Sequence, residues 1–314
     1  MNPETHETHQ TDPHESVYDG LLGGDDAHWA FGTDFEDPLA GVDTTLPAGA
    51  DAHALARYCL MLGDDALVAS HRLSEWCSNA PDLEDDIALA NIALDLLGQA
   101  RLLLARAAAA DPEVVPALPE DSPVPPEDAL AFFRDDLAFR NVRLVEIQNG
   151  DFGQTIARLL VLSTHRLALL ERLRESTDPV LAAIAAKGVA EVTYHRDYAG
   201  RWFLTLAQGT EQSRTRVVAG LEVVLPHYDE LFATHPVEAT GAQQGWGVDP
   251  AALRAEVDVV LDQVLATSGV ERPQAKQVGR VAGGAGRDGR HTEALSKLLA
   301  QMQSVARAHP RGQW

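Results

Sequence analysis

The chain has 314 residues, is 45% hydrophobic, and carries 47 acidic against 25 basic side chains, a net charge of −22. That length can bury a large core in one or two domains. The acid excess argues against nucleic acid as a main partner, since phosphate backbones are held by basic surfaces. No uninterrupted apolar run approaches the ~18 residues of a membrane span. The longest, Leu102 to Ala110, is broken by Arg106.

Residues 1–50 hold eleven acids and no base, with many Gly and Pro and no sustained periodicity. This composition predicts an acidic, disordered tail, leaving 51–314 as one helical domain. His6, His9, His14 and His28 read as scattered solvated side chains, and Trp29 and Phe31 are available to dock on the body or a partner. No Lys or Arg precedes Arg57, which speaks against the positive start of a signal peptide. Cys59 and Cys77 on one helix would lie roughly 27 Å apart, far beyond the ~7 Å between Cα atoms that a disulfide allows. Two buried thiols in a reducing cytoplasm are expected.

Beyond the tail, helical periodicity recurs at about 52–78, 83–110, 127–149, 151–176, 179–208, 210–234, 250–268 and 292–308. Pro81 separates the first pair, with Asp82 placed to cap the second helix. Six prolines between Asp111 and Pro126 force a loop. Asn149-Gly150, Asp178-Pro179 and Gly209-Thr210 punctuate the next elements, and Pro226 should kink or divide the sixth helix. No alternating strand signal occurs. Residues 271–291, with five glycines and four arginines, read as a flexible basic loop. Gly283, Gly284 and Gly286 fail as a phosphate loop for want of a preceding strand and a Lys-Ser/Thr ending.

The second helix carries Asn91, Asp95 and Gln99 four residues apart, one polar row on an otherwise Ile-, Leu- and Ala-rich element. Such a row implies a buried hydrogen-bond network, a metal site, or the remains of one. Four-helix carboxylate proteins hold two irons with a Glu from each of two helices and a Glu-x-x-His from each of the others. This chain contains no Glu-x-x-His. Leu96 to Gln99 offers apolar and amide groups there, and Val192 to His195 keeps the imidazole but loses the acid. Glu191 lies four residues from His195, within reach of a hydrogen bond.

Asp64, His71 and Glu75 on the first helix, Glu146 on the third and His165 on the fourth are further inward polar candidates. Two readings stay open. These groups pair as buried hydrogen bonds and salt bridges, or Glu75, Asp95, Glu146 and His195 build a nonstandard metal site. Nucleophilic catalysis lacks a motif, because no Gly-x-Ser-x-Gly is present and the cysteines have no evident base.

The strings LGDDALVASHRLSEWCSNAP (62–81), LEDDIALANIALDLLGQAR (83–101), LVEIQNGDFGQTIAR (144–158), AEVTYHRDY (190–198) and HTEALSKLLAQMQ (291–303), with the Gly-Gln-Trp ending, resemble the C subunits of phenylacetyl-CoA ring-epoxidising oxygenases. The resemblance covers roughly 52–314. It implies an all-α, ferritin-like bundle with additional C-terminal helices, cytoplasmic, soluble and structural. By this likeness the chain is noncatalytic on its own and pairs with a catalytic A subunit that carries the di-iron centre. Reductase components with flavin and iron–sulfur groups bring electrons from NADPH, and the complex adds one oxygen atom of O2 to the ring of phenylacetyl-CoA.

Glu75, Asp95, Gln99, Glu146, Glu191 and His195 then stand as vestigial di-iron-type positions, with no metal held by this subunit. The resemblance further implies a share in the CoA-thioester site, through Ala138, Phe139, Arg140 and Asn141 on the third helix and Ala239, Thr240 and Gly241 in a loop before Asp249-Pro250. Arg140 and Arg143 suit CoA phosphates; equally, they suit surface pairs with Asp135 or Asp136. The rival functions are an independent di-metal oxidase with substituted ligands and a helical acyl-CoA-binding protein.

Overall fold

A computed structural model describes residues 41–312 together with Leu39. The expected tail to residue 38, with its four histidines, Trp29 and Phe31, lies outside the described residues. Residues 41–50 belong to the described body, where buried Arg106 donates to the Thr44 carbonyl at 2.7 Å and to that of Thr45 at 3.3 Å.

Local signals in the sequence explain the main helices. Helix α1 (Ala52–Ser74) opens at Asp51, whose carboxylate accepts from the Ala54 amide at 3.0 Å. Helix α2 (Leu83–Ala110) opens at Asp82 in the same way and gathers Glu84, Asp85 and Asp86 in its first turn, where the helix dipole favours anions. Helix α3 is short (Pro126–Phe132). Helices α4 (Phe152–Leu173) and α5 (Pro179–Gln208) are capped by Asp151 and Asp178, with Pro179 at the first position, where its missing N–H costs nothing. Short connections make α1/α2 and α4/α5 antiparallel pairs, a long crossover joins them, and α2 packs against α5. This is the four-helix core of the ferritin-like class.

The remaining helices clothe that core. Helix α6 (Glu211–Val224) starts at a reciprocal Thr210–Ser213 cap and yields to a 3-10 turn at Pro226, where the proline breaks it. Helix α7 (Pro236–Gln244) lies on α1, and α8 (Arg254–Ser268) lies across α4 and α5. Helices α9 (Glu293–Met302) and α10 (Ser304–Ala308) close the chain. Among the described residues there is no strand, and one isolated bridge joins Val281 to Gly284.

Four expectations need correction. The helix expected over 127–149 ends at Phe132, and 3-10 turns at Asp136–Ala138 and Arg143–Glu146 replace its remainder. Residues 236–244, read as loop, form α7. Cys77 is exposed in the turn after α1; Cys59 is buried and both thiols are free. The glycine-rich stretch is no loose loop in its last third, where Gly286 and Arg287 are buried. Helix α2 is also more apolar than its interrupted runs suggest: its most apolar 18-residue window has mean hydropathy 1.5, yet only 44% of that window is buried.

Candidate functional site

At the centre of the four-helix core stands a guanidinium. Arg166 on α4 is buried, donates to the Gln99 side-chain oxygen of α2 at 2.8 Å, and reaches the Leu62 carbonyl of α1 at 3.4 Å. Gln99 passes the link on, donating to Glu191 of α5 at 2.8 Å, and Lys187 pairs with Glu191 one turn away. Burial pulls Arg166 down to about 10, opposed by the charge of Asp65 on α1, so it stays a cation at neutral pH. Next to it, burial drives His165 down to about 3, so that ring is neutral.

One buried cation therefore touches or feels a group from each core helix. A pair of irons would need anionic and imidazole donors there; a neutral amide and a fixed positive charge do not fit such a centre. Sequence reasoning singled out His165 and passed over Arg166 beside it. The available signal was a third basic residue, after Arg158, on the buried face of an apolar helix.

The other positions expected to be vestigial are divided. His195 is buried and its Nε2 meets the Asp95 carboxylate at 2.9 Å, the pairing expected, but Asp95 keeps 36% of its side chain exposed. The polar row climbs from exposed Asn91 through half-buried Asp95 to buried Gln99, because four residues overshoot one 3.6-residue turn. Glu75 is exposed past the end of α1, bound to Arg72 and Asn149. Glu146 is fully buried on a 3-10 turn and accepts from Asn141, Thr292 and His291. Among the described residues, no three His, Cys, Asp or Glu side chains converge as a metal site, and the four-residue cluster of Glu75, Asp95, Glu146 and His195 does not form.

After the Asp136–Ala138 turn, the Phe139–Val142 segment is extended and its backbone is satisfied by side chains instead of by a helix. Two adjacent buried acids of α1 take its amides: Asp64 accepts from Arg140 N and Asp65 from Val142 N, both at 2.8 Å. Arg134 chelates Asp64, donates to the Ala138 carbonyl, and stacks 4.3 Å from the Phe139 ring centroid. Arg287 takes the Arg140 carbonyl at 2.9 Å and Asp65 at 2.8 Å, and His291 faces the Phe139 carbonyl at 2.9 Å. These arginines and acids outcompete the i to i−4 bonds that periodicity alone predicts.

Residues 284–292 thus form a strap across this segment. Gly286 is obligatory, since a Cβ there would collide with the Asn141 carbonyl; Gly289, at φ 74°, would strike the Leu137 carbonyl and the Arg140 guanidinium.

The two segments expected at a CoA site do come together. Arg287 spans them, bonding the Arg140 carbonyl and lying 3.7 Å from Glu238, the residue before Ala239. Ala239, Thr240 and Gly241 belong to α7, not to a loop, and Gly241 packs against Trp246. Phe139 and Asn141 are wholly buried, so of the first segment Arg140 alone offers charge to the surface. Burial, then repulsion from half-buried Arg57 of α1, holds its guanidinium below its ordinary value. Arg57 and Arg140 also depress His235, after burial and against the pull of Asp288. Arg143 does not belong to this group: it is buried in an ion pair with Glu230 at 2.8 Å. Asp135 and Asp136 turn to Arg307 and Ser296, not to the two arginines.

Residues 42–314 match the family described as phenylacetic acid catabolic protein. The C subunit of the 1,2-phenylacetyl-CoA epoxidase of Escherichia coli (strain K12) is 42% identical over 262 residues, 83% of this chain and 99% of that protein. Family and relative together span the helical body, including α1, α2 and the strap, and the chain belongs to the phenylacetic acid catabolic protein family.

Proposed function

We propose that this chain is the noncatalytic ferritin-like subunit of a multicomponent di-iron oxygenase that epoxidises the ring of phenylacetyl-CoA. It pairs with a catalytic A subunit of like fold and contributes to the CoA-thioester site. The observation that carries the noncatalytic part is Arg166: a buried guanidinium, held by Gln99 and facing Asp65 and Glu191, takes the central position that a dimetal centre would need. Oxygen chemistry, iron, flavin, iron–sulfur and NADPH then belong to partner subunits. Two unpaired thiols suit a cytoplasmic setting.

Arg140, with Arg57 and His235 close enough to perturb it or be perturbed by it, supports the share in substrate binding. In a chain of net charge −22, two guanidiniums that repel each other beside a surface, Arg57 and Arg140, suit a phosphate-bearing ligand. A single reconstitution tests both parts. The chain purified alone should contain no stoichiometric iron or manganese and turn over no phenylacetyl-CoA. Combined with the catalytic subunit and reductase, Arg140→Glu should raise KM while assembly and iron content hold. Metal at one or two equivalents in the isolated chain would favour the substituted-ligand oxidase; a normal KM in the variant would remove the CoA role.

A further inference from the structure

The strap is fastened to the candidate binding segment by one histidine whose protonation state is dictated by its neighbours. His291 Nδ1 faces the Glu146 carboxylate at 2.5 Å and its Nε2 faces the Phe139 carbonyl at 2.9 Å, with 3% of the side chain exposed. Both partners can only accept. A neutral imidazole has one donor and one acceptor nitrogen, so only the imidazolium satisfies both contacts.

Glu146 is matched to that charge. It is fully buried and also receives the Asn141 amide group at 3.0 Å and the Thr292 amide and hydroxyl, each at 2.7 Å. The charged groups facing His291 are Glu146 from the Arg143–Glu146 turn and Asp64 from α1, both anionic. The cations nearby are spoken for: Arg72 donates to the Glu146 backbone carbonyl, and Arg134 is chelated by Asp64. Burial pulls the His291 pKa down, but the hydrogen bond and charge of Glu146, the Phe139 carbonyl and Asp64 outweigh it and leave it raised.

We infer that His291 is a positioning residue: as an imidazolium it clamps the strap to Phe139 and Glu146 and thereby fixes Arg140 for the phosphates of an acyl-CoA. This rests on the reading of Ala138–Asn141 as part of the substrate site. The sign follows from the geometry. Below the ordinary imidazole range the clamp is closed. As pH rises through the raised folded value the proton is lost, one ring nitrogen becomes a lone pair aimed at an oxygen, and the segment loosens.

The test has two independent readings. In the full chain alone, hydrogen exchange of the amides of residues 137–146, corrected for intrinsic rates, should lose protection as pH rises from about 6.5 toward 9; His291→Gln should be unprotected throughout, with no such transition. In the reconstituted complex, KM for phenylacetyl-CoA should rise several-fold over the same interval, while kcat changes less. His291→Gln should begin at the raised KM and lack the transition. Should the variant fail to fold, the two wild-type profiles still decide. A flat exchange profile overturns the clamp. Loosening without any change in KM overturns the positioning role, and leaves the noncatalytic reading of the bundle centre unaffected.

Discussion

Arg166 explains how a four-helix core stays folded with acids from two helices turned toward its centre. Facing acids at a bundle centre are costly unless a cation neutralises them, and here the cation is covalently part of α4. Its removal should be felt at the amide and carboxylates it serves: Arg166→Met should lower the free energy of unfolding by about 1–3 kcal/mol, the cost of leaving buried polar partners unsatisfied, measurable in urea. Asp65 retains Arg287 in that variant, so the loss should stay within this range. The neighbouring His165 sets an acid limb. Its pKa is depressed to about 3 by burial, so the stability it contributes is whole above the ordinary histidine value and drains as pH falls below it. His165→Leu should therefore lose less stability than the wild type between pH 7 and pH 5. Equal losses in both proteins would assign the acid sensitivity to carboxylates elsewhere.

At the scale of elements, legibility follows whether local or distant groups decide the backbone. Helix α2 was readable to both ends, Leu83 and Ala110, because its cap, its acidic first turn and the proline before it all sit within a few residues. The His195–Asp95 contact was readable from the polar row and the lone imidazole. The segment after Phe132 was not, because its hydrogen bonds are supplied by Asp64, Asp65, Arg287 and His291, as far as 152 residues away in sequence. No periodicity carries that information. The strap failed for a related reason. Its glycines resemble those of a mobile linker but are needed for close approach to Leu137 and Asn141. Gly289→Ala tests that account: a Cβ at φ 74° against the Leu137 carbonyl should cost about 1–3 kcal/mol and expose 137–146 to exchange. A neutral effect would return the strap to the status of a loop.

The whole molecule presents a charge problem and an apolar face, and the two bear on each other. Leu83, Ile87, Leu94 and Leu97 on α2 are 68%, 53%, 62% and 41% exposed, and Tyr194 on the adjoining α5 is 49% exposed. Grouped apolar exposure of this kind marks an association surface, and on α2 it accounts for a helix that is strongly apolar yet less than half buried. Two copies of a chain at −22 would repel each other, so a different, less acidic subunit is the better occupant. Membership of a family that contains an epoxidase subunit agrees with that choice. Leu94→Glu should abolish or strongly weaken copurification with the catalytic subunit proposed as its partner. Because Leu94 makes little contact within its own fold, the isolated variant should keep the wild-type melting temperature. Retained assembly in an Ile87→Glu, Leu94→Glu double variant would move the interface to another face. Homodimers of the wild type at low salt would mean that the apolar face outweighs the charge and accepts a second copy.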